Sequence, residues 1–334
     1  MENIETVSLD LILKIRLHIN RTEKQAALLV NRQKWDRLTS ALYVLEDTSC
    51  AIEYYLKSDY PDDVGGKYLY TYGLVQALYV QEDAIDSLSY ALFDKNIDFK
   101  NEYPKAYAVR GMRNDVVGHP THRGPNGCVY LAQHSLSKNG FYYSKDDARE
   151  EISEIIDVDV REAIHETATC VNLILTNSLD ALDQEFKQYI EKHKDRKMKE
   201  IFNMLHYAKE KTLIPNALGS WGYDATKSMV EKCEKELFLR YGSVEAVDSY
   251  KYLLDEIHEI YGIVDKDIPA IAPELQDRFQ KYMLQTLFSK LEELERYCEE
   301  TDDYFDNYGA EPEQAATTEL PPIVNVNDLK NCSE

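Results

Sequence analysis

The stretch Arg113-Asn114-Asp115-Val116-Val117-Gly118-His119 places a permanent cation and a titratable imidazole six residues apart, with a carboxamide beside the cation. An imidazole titrates close to neutral pH and can take or give a proton. A guanidinium presents a planar fork of donors that suits a phosphate and stabilises charge developing on it. RNA brings its own nucleophile, the 2′-hydroxyl, so such a pair could cleave it by proton transfer and charge stabilisation alone. Asn114 would then orient His119 or touch the phosphate. In a chain of this composition an Arg-Asn pair with His six residues after the Arg is expected about 0.015 times by chance, and it occurs once. On an ideal α-helix the two side chains stand about 120° apart, with about 9 Å of rise between them.

Arg110, His122 and Arg123 flank this stretch and are candidate substrate-binding residues. Residues 101–145 hold six Lys and Arg against Glu102 and Asp115, a net of +4 in a chain whose formal charge is −22. Such an island reads either as a site for an anionic ligand or as a solvated face. Glu82 and Asp83, on the preceding helix, are possible supporting neighbours. His119-Pro-Thr-His122 has two potential metal ligands, but Pro120 breaks the helix that would present both rings and no third ligand follows, so neither metal nor cofactor is expected. Phosphate-binding loops, HExxH, GxSxG and paired CxxC are absent from the sequence.

The elements that must position these residues are almost all helical. Leu38, Leu42, Leu45, Ile52 and Leu56 form a stripe that predicts a helix over about 22–57, or two separated near Asn31. Leu74, Leu78, Ile85, Leu88 and Leu92 predict another over 68–94. Pro104 opens a third at about 104–118, which Gly118 and Pro120 end. Ser137-Lys-Asn-Gly140 between apolar runs predicts a β-hairpin over 128–145. A long helix follows at 158–194, then shorter ones at 197–211, 224–240, 244–261 and 273–301. The expected fold is all-α with one small inserted β-hairpin: a helical bundle over 1–195, a smaller helical unit over 196–302, and a flexible acidic tail over 303–334. Six Cys lie far apart. Free thiols in a chain whose amino terminus has no secretory signal point to the cytoplasm, and no run is apolar enough for a membrane span.

The Arg-Asn-x4-His stretch, at a helix end and between long helices, resembles the motif of the HEPN superfamily, with the likeness covering roughly residues 25–190. That resemblance implies a helical bundle, a homodimer, and metal-independent RNA cleavage by Arg113, Asn114 and His119 in a toxin–antitoxin or antiphage defence system. Some members carry a Tyr two residues after the His that becomes nucleotidylated; Thr121 stands there in this chain. Two further readings remain open. One is a non-catalytic helical module that meets a protein partner through the C-terminal unit or the acidic tail. The other is a nucleotide-binding domain that uses Arg110 and Arg113 without hydrolysis.

Overall fold

The computed structural model describes residues 4–118, 120–121, 127–147, 152–213, 221–267 and 273–308. The chain divides into two compact units, Met1–Gln188 with Leu237–Val247, and Tyr189–Glu236 with Asp248–Glu334. Among the described residues the fold is all-α with one small sheet, and no helix is long and apolar enough to cross a membrane.

In the first unit, helix α1 (Leu9–Ile19) starts at Ser8, whose hydroxyl accepts a hydrogen bond from Leu11 N. It buries Ile12, Ile15 and Ile19, a stripe at helical spacing. Helices α2 (Thr22–Leu29) and α3 (Arg32–Lys57) are separated at Asn31, which caps α3 by accepting from Lys34 N. The break near Asn31 is therefore real. Asp63 caps α4 (Val64–Phe93).

Helices α3 and α4 lie antiparallel. Tyr55 meets Tyr70 with ring centroids 6.0 Å apart, Gln81 donates to Ser49 at 3.4 Å, and Arg37 donates to Ser87 at 3.4 Å. Positions thus rise along one helix as they fall along the other. Leu38, Leu42, Leu45, Ile85 and Leu88 form the core between them, each below 1% exposed. Removing these side chains from water contributes on the order of 10 kcal/mol before chain entropy is counted.

A short helical turn, α5 (Phe99–Glu102), leads into α6 (Pro104–Arg113), with Pro104 in its first turn. The expected helix over 104–118 does not stay α-helical. After Arg113 the chain widens into a π turn, Asn114–Gly118. The 100° per residue of an ideal helix therefore does not carry over this segment.

The expected hairpin is a three-stranded antiparallel sheet, β1 (Gly127–Leu131), β2 (Gly140–Asp147) and β3 (Ile152–Asp159), in the order β1-β2-β3. The third strand was missed because acidic residues interrupt it. Yet Ile156, Val158 and Val160 alternate with Asp157 and Asp159, a period of two that signals a strand. Phe141 and Tyr143 of β2 and Val129 of β1 join a core with Leu74, Leu78, Val109, Met112 and Val116. Helix α7 (Val160–His193) follows at once. Its Asn172 holds the amino-terminal segment, accepting from Ser8 N at 2.8 Å and donating to Thr6 O at 3.0 Å.

The second unit contains α8 (Leu205–Leu213), most of α9 (Trp221–Tyr241), α10 (Asp248–Gly262) and α11 (Pro273–Asn307). Asp302 on α11 is buried and accepts from Met198 N and Lys199 N, at 3.0 and 2.9 Å, fastening the turn at 199–202. Cys233 and Cys298 are both fully buried, with sulfur atoms 3.8 Å apart. Helix α11 reaches Asn307 and buries Phe305 against Tyr189, so residues 303–307 belong to a packed helix rather than to the acidic tail. The rest of the expected tail, from 309 onward, lies outside the described residues.

Candidate functional site

Helix α6 turns one face to α4, and that face carries both arginines. Arg113 Nε donates to Gln76 Oε1 at 3.0 Å, and its Nη1 donates to Asn114 Oδ1 at 3.1 Å. Its guanidinium carbon stands 4.6 Å from the centre of the Tyr79 ring, and that of Arg110 stands 5.0 Å from the same ring. Two cations on one phenol ring are held by its quadrupole, which offsets part of their mutual repulsion. Among the described residues the Nη2 of Arg113 has no hydrogen-bond partner, so one arm of the fork is open.

Arg110 differs in kind. Its Nε donates to Glu82 Oε1 at 2.8 Å, and Glu82 is only 2% exposed. The Oε2 of Glu82 is buried without a hydrogen-bond partner among the described residues. Burial raises the Glu82 carboxyl above the usual carboxylate range, although Arg110 opposes the shift. Glu82 therefore supports Arg110 rather than Arg113. Asp83, the next residue, points to solvent and makes no hydrogen bond among the described residues.

The basic island is partly neutralised, from outside itself at Lys105 and Arg110 and from within it at Lys145. Lys105 pairs with Glu166 at 2.6 Å, Arg110 with Glu82, and Lys145 with Asp115 at 2.7 Å. Lys138 donates to the Ser58 carbonyl at 2.6 Å. Arg113 is the one arginine of the island, among the described residues, that no carboxylate compensates. Asp115 does not pair with it: the π turn sends this side chain inward, where it is 1% exposed and also receives the Tyr143 hydroxyl at 3.4 Å.

Gly118 closes the arrangement. A Cβ at this position would lie 2.8 Å from Arg113 Nη1 and 3.6 Å from Asn114 Oδ1. The glycine thus leaves room for the guanidinium to fold back along the π turn toward the backbone that leads to His119. The structure brings together Arg113, Asn114 and, through Tyr79, Arg110 with Glu82. His119, His122 and Arg123 lie outside the described residues.

Gln76 and Tyr79 were missed from sequence. They sit three residues apart on α4, and Glu82 is three further on, a spacing that puts all three on one helix face. That signal was legible, but nothing in the sequence said which helix this face meets. Among the described residues, no group of three or more His, Cys, Asp or Glu is placed to hold a metal ion. Compared with known proteins, the chain matches no family model, no curated protein and no solved structure.

Proposed function

We propose that the chain is a metal-independent endoribonuclease of the HEPN type, working as a homodimer. The observation that carries the reading is the Arg113 guanidinium: uncompensated by any described carboxylate, held by Gln76 and Asn114 over Tyr79, and with its Nη2 free of hydrogen-bond partners among the described residues. A fixed cation of this kind suits a scissile phosphate, because it need not reorganise as charge develops. In this reading His119 moves the proton of the 2′-hydroxyl or of the leaving oxygen. Arg113 binds the phosphate, and Asn114 positions Arg113 rather than the imidazole. His122 and Arg123 extend the contact to flanking phosphates. Arg110 contributes field rather than a direct contact, since Glu82 holds it. A place in a toxin–antitoxin or antiphage system follows from the motif's resemblance alone.

The test is RNA cleavage by purified protein in excess chelator, with Arg113→Ala and His119→Ala as comparisons. Chelator-resistant cleavage that both substitutions reduce by roughly 100-fold or more is the expected outcome. Cleavage untouched by both substitutions removes the proposal. A second reading is favoured by the bond from Arg113 to Asn114, which orders a cation without requiring an imidazole: a nucleotide-binding module that does not cleave. It predicts saturable mononucleotide binding, lost in Arg113→Ala and kept in His119→Ala, with no cleavage of RNA.

A further inference from the structure

The other face of α6 borders an open cavity of about 310 Å³, shared with β3 and the first turns of α7. Its inner surface is apolar, made by Val109, Met112, Ile156, Val158 and Ala163. Its lining is also charged: Asp157, Asp159, Glu162 and Glu166 stand there with one cation, Lys105. The volume sits at the small end of ligand pockets, which suits a small molecule better than a helix or a loop of another protein. An apolar floor below an acidic rim selects a ligand with a methylene chain and positive charge, since the carboxylates would repel an anion and leave a neutral ligand's mouth contacts unpaired.

The mouth already holds one alkylammonium. Lys105 Nζ lies 2.6 Å from Glu166 Oε1 and 3.6 Å from Glu162 Oε1, and these carboxylates hold its ammonium above the usual lysine range. Asp157 is exposed at the rim and has no ion-pair partner among the described residues. Asp159 spends one oxygen on the backbone of Arg161 and Glu162 at the start of α7. The rim therefore has more carboxylate than its own lysine satisfies.

We infer that this cavity binds a linear aliphatic polyamine, with its methylenes along the apolar floor and its ammonium groups at Asp157 and beside Lys105 at Glu162 and Glu166. This site is separate from Arg113 and does not rest on the ribonuclease reading.

The experiment is calorimetric titration of the full chain with spermidine, 1,6-diaminohexane, neutral 1,6-hexanediol and magnesium chloride. The expected result is one saturable site for both amines, none for the diol, and no displacement by magnesium. Asp157→Asn with Glu162→Gln should weaken spermidine at least 10-fold, whereas Asp47→Asn with Asp62→Asn, removing the same charge elsewhere, should leave it unchanged. Ala108→Phe, at an exposed position on the mouth, should also weaken it at least 10-fold with the helical circular dichroism intact. Lys105→Met should tighten binding several-fold by freeing Glu162 and Glu166. Equal loss in the two acid pairs, displacement by magnesium, or no saturable site would overturn the inference, because each marks at most a diffuse counterion effect of the −22 charge.

Discussion

Arg113 folds back across the π turn until its guanidinium lies where a side chain on Gly118 would be, five residues ahead in sequence. The absence of a Cβ there sets how near the cation can come to the backbone preceding His119. Gly118→Ala would push against the mobile end of one side chain and not against backbone, so the fold should lose less than about 1 kcal/mol. The guanidinium must then shift by several tenths of an ångström and give up geometry with Asn114. We expect RNA cleavage to fall at least 10-fold through kcat, with the melting temperature nearly unchanged. A variant with full activity would show that the close approach has no part in the chemistry.

The pair formed by Arg110 and Glu82 predicts a coupled pattern of stability. Removing the arginine leaves a buried carboxylate without its cation, so Arg110→Ala should cost about 2–4 kcal/mol at pH 7. Glu82→Gln in the same chain should recover part of that loss, which chemical denaturation of the four variants would measure as a double-mutant cycle. The sign of the pH dependence follows from the raised carboxyl. The folded chain takes up a proton above the ordinary glutamate range, so this group destabilises as pH rises through that window. Without Arg110 the window moves higher, and the penalty of Arg110→Ala should shrink as pH falls from 7 toward 5. A penalty that stays constant with pH would mean that Glu82 keeps its charge.

His18 gives the opposite dependence. It is buried on α1 between Asp183, 2.8 Å from Nε2, and Arg21, 2.8 Å from Nδ1. Burial comes first in holding its pKa below the usual value, followed by the Arg21 charge, while Asp183 pulls the other way. The ring is thus neutral in the fold, accepting from Arg21 and donating to Asp183. A histidine with a lowered folded pKa binds fewer protons than in the unfolded chain. Its contribution is fully present above the unfolded pKa of about 6.5 and is lost as pH falls below it. Denaturation midpoints of the wild type should fall between pH 7 and pH 5, and His18→Gln should flatten that slope. An unaltered slope in the variant would assign the acid sensitivity to other groups.

Asp302 carries a prediction for the second unit. Its carboxylate receives two backbone N–H groups at the turn that begins near Met198, a residue with no exposure. Asp302→Ala leaves buried donors without partners and should cost about 2–3 kcal/mol. Asp302→Asn, which keeps one acceptor, should cost less. Proteolysis near 198–202 should rise in the alanine variant before any change near Arg113.

What could be read from the sequence was set by local chemistry. The stripe Leu38-Leu42-Leu45 and the pair Ile85-Leu88 face the same core because a helical period fixes a face regardless of partner. Asn31 and Pro104 sit at helix starts for reasons contained in their own side chains. The π turn was not legible, since no residue type demands one; it is held by Asp115 reaching Lys145 on β2 and by the burial of Val116. The roles of Gln76 and Tyr79 were hidden for a related reason. A polar face on α4 gains meaning only when α6 is laid against it, and that pairing is tertiary. The same limit explains the basic island, which looked like open charge because Glu82, Glu162 and Glu166 lie outside it in sequence.

The clasp on the amino terminus has a consequence for how the chain is made. Ser8 is bonded to Asn172 and His18 to Asp183, partners separated by 164 and 165 residues. At 5–20 residues per second, α1 would leave the ribosome roughly 8–33 s before those partners exist. During that interval Ile12, Ile15 and Ile19 can pack on α2 and α3, while the Ser8 N–H and the Nε2 of His18 must rely on water. Helix α1 is therefore locked only once α7 has been made, and nascent chains ending before Asn172 should carry a loose α1 segment on an already formed α3–α4 pair.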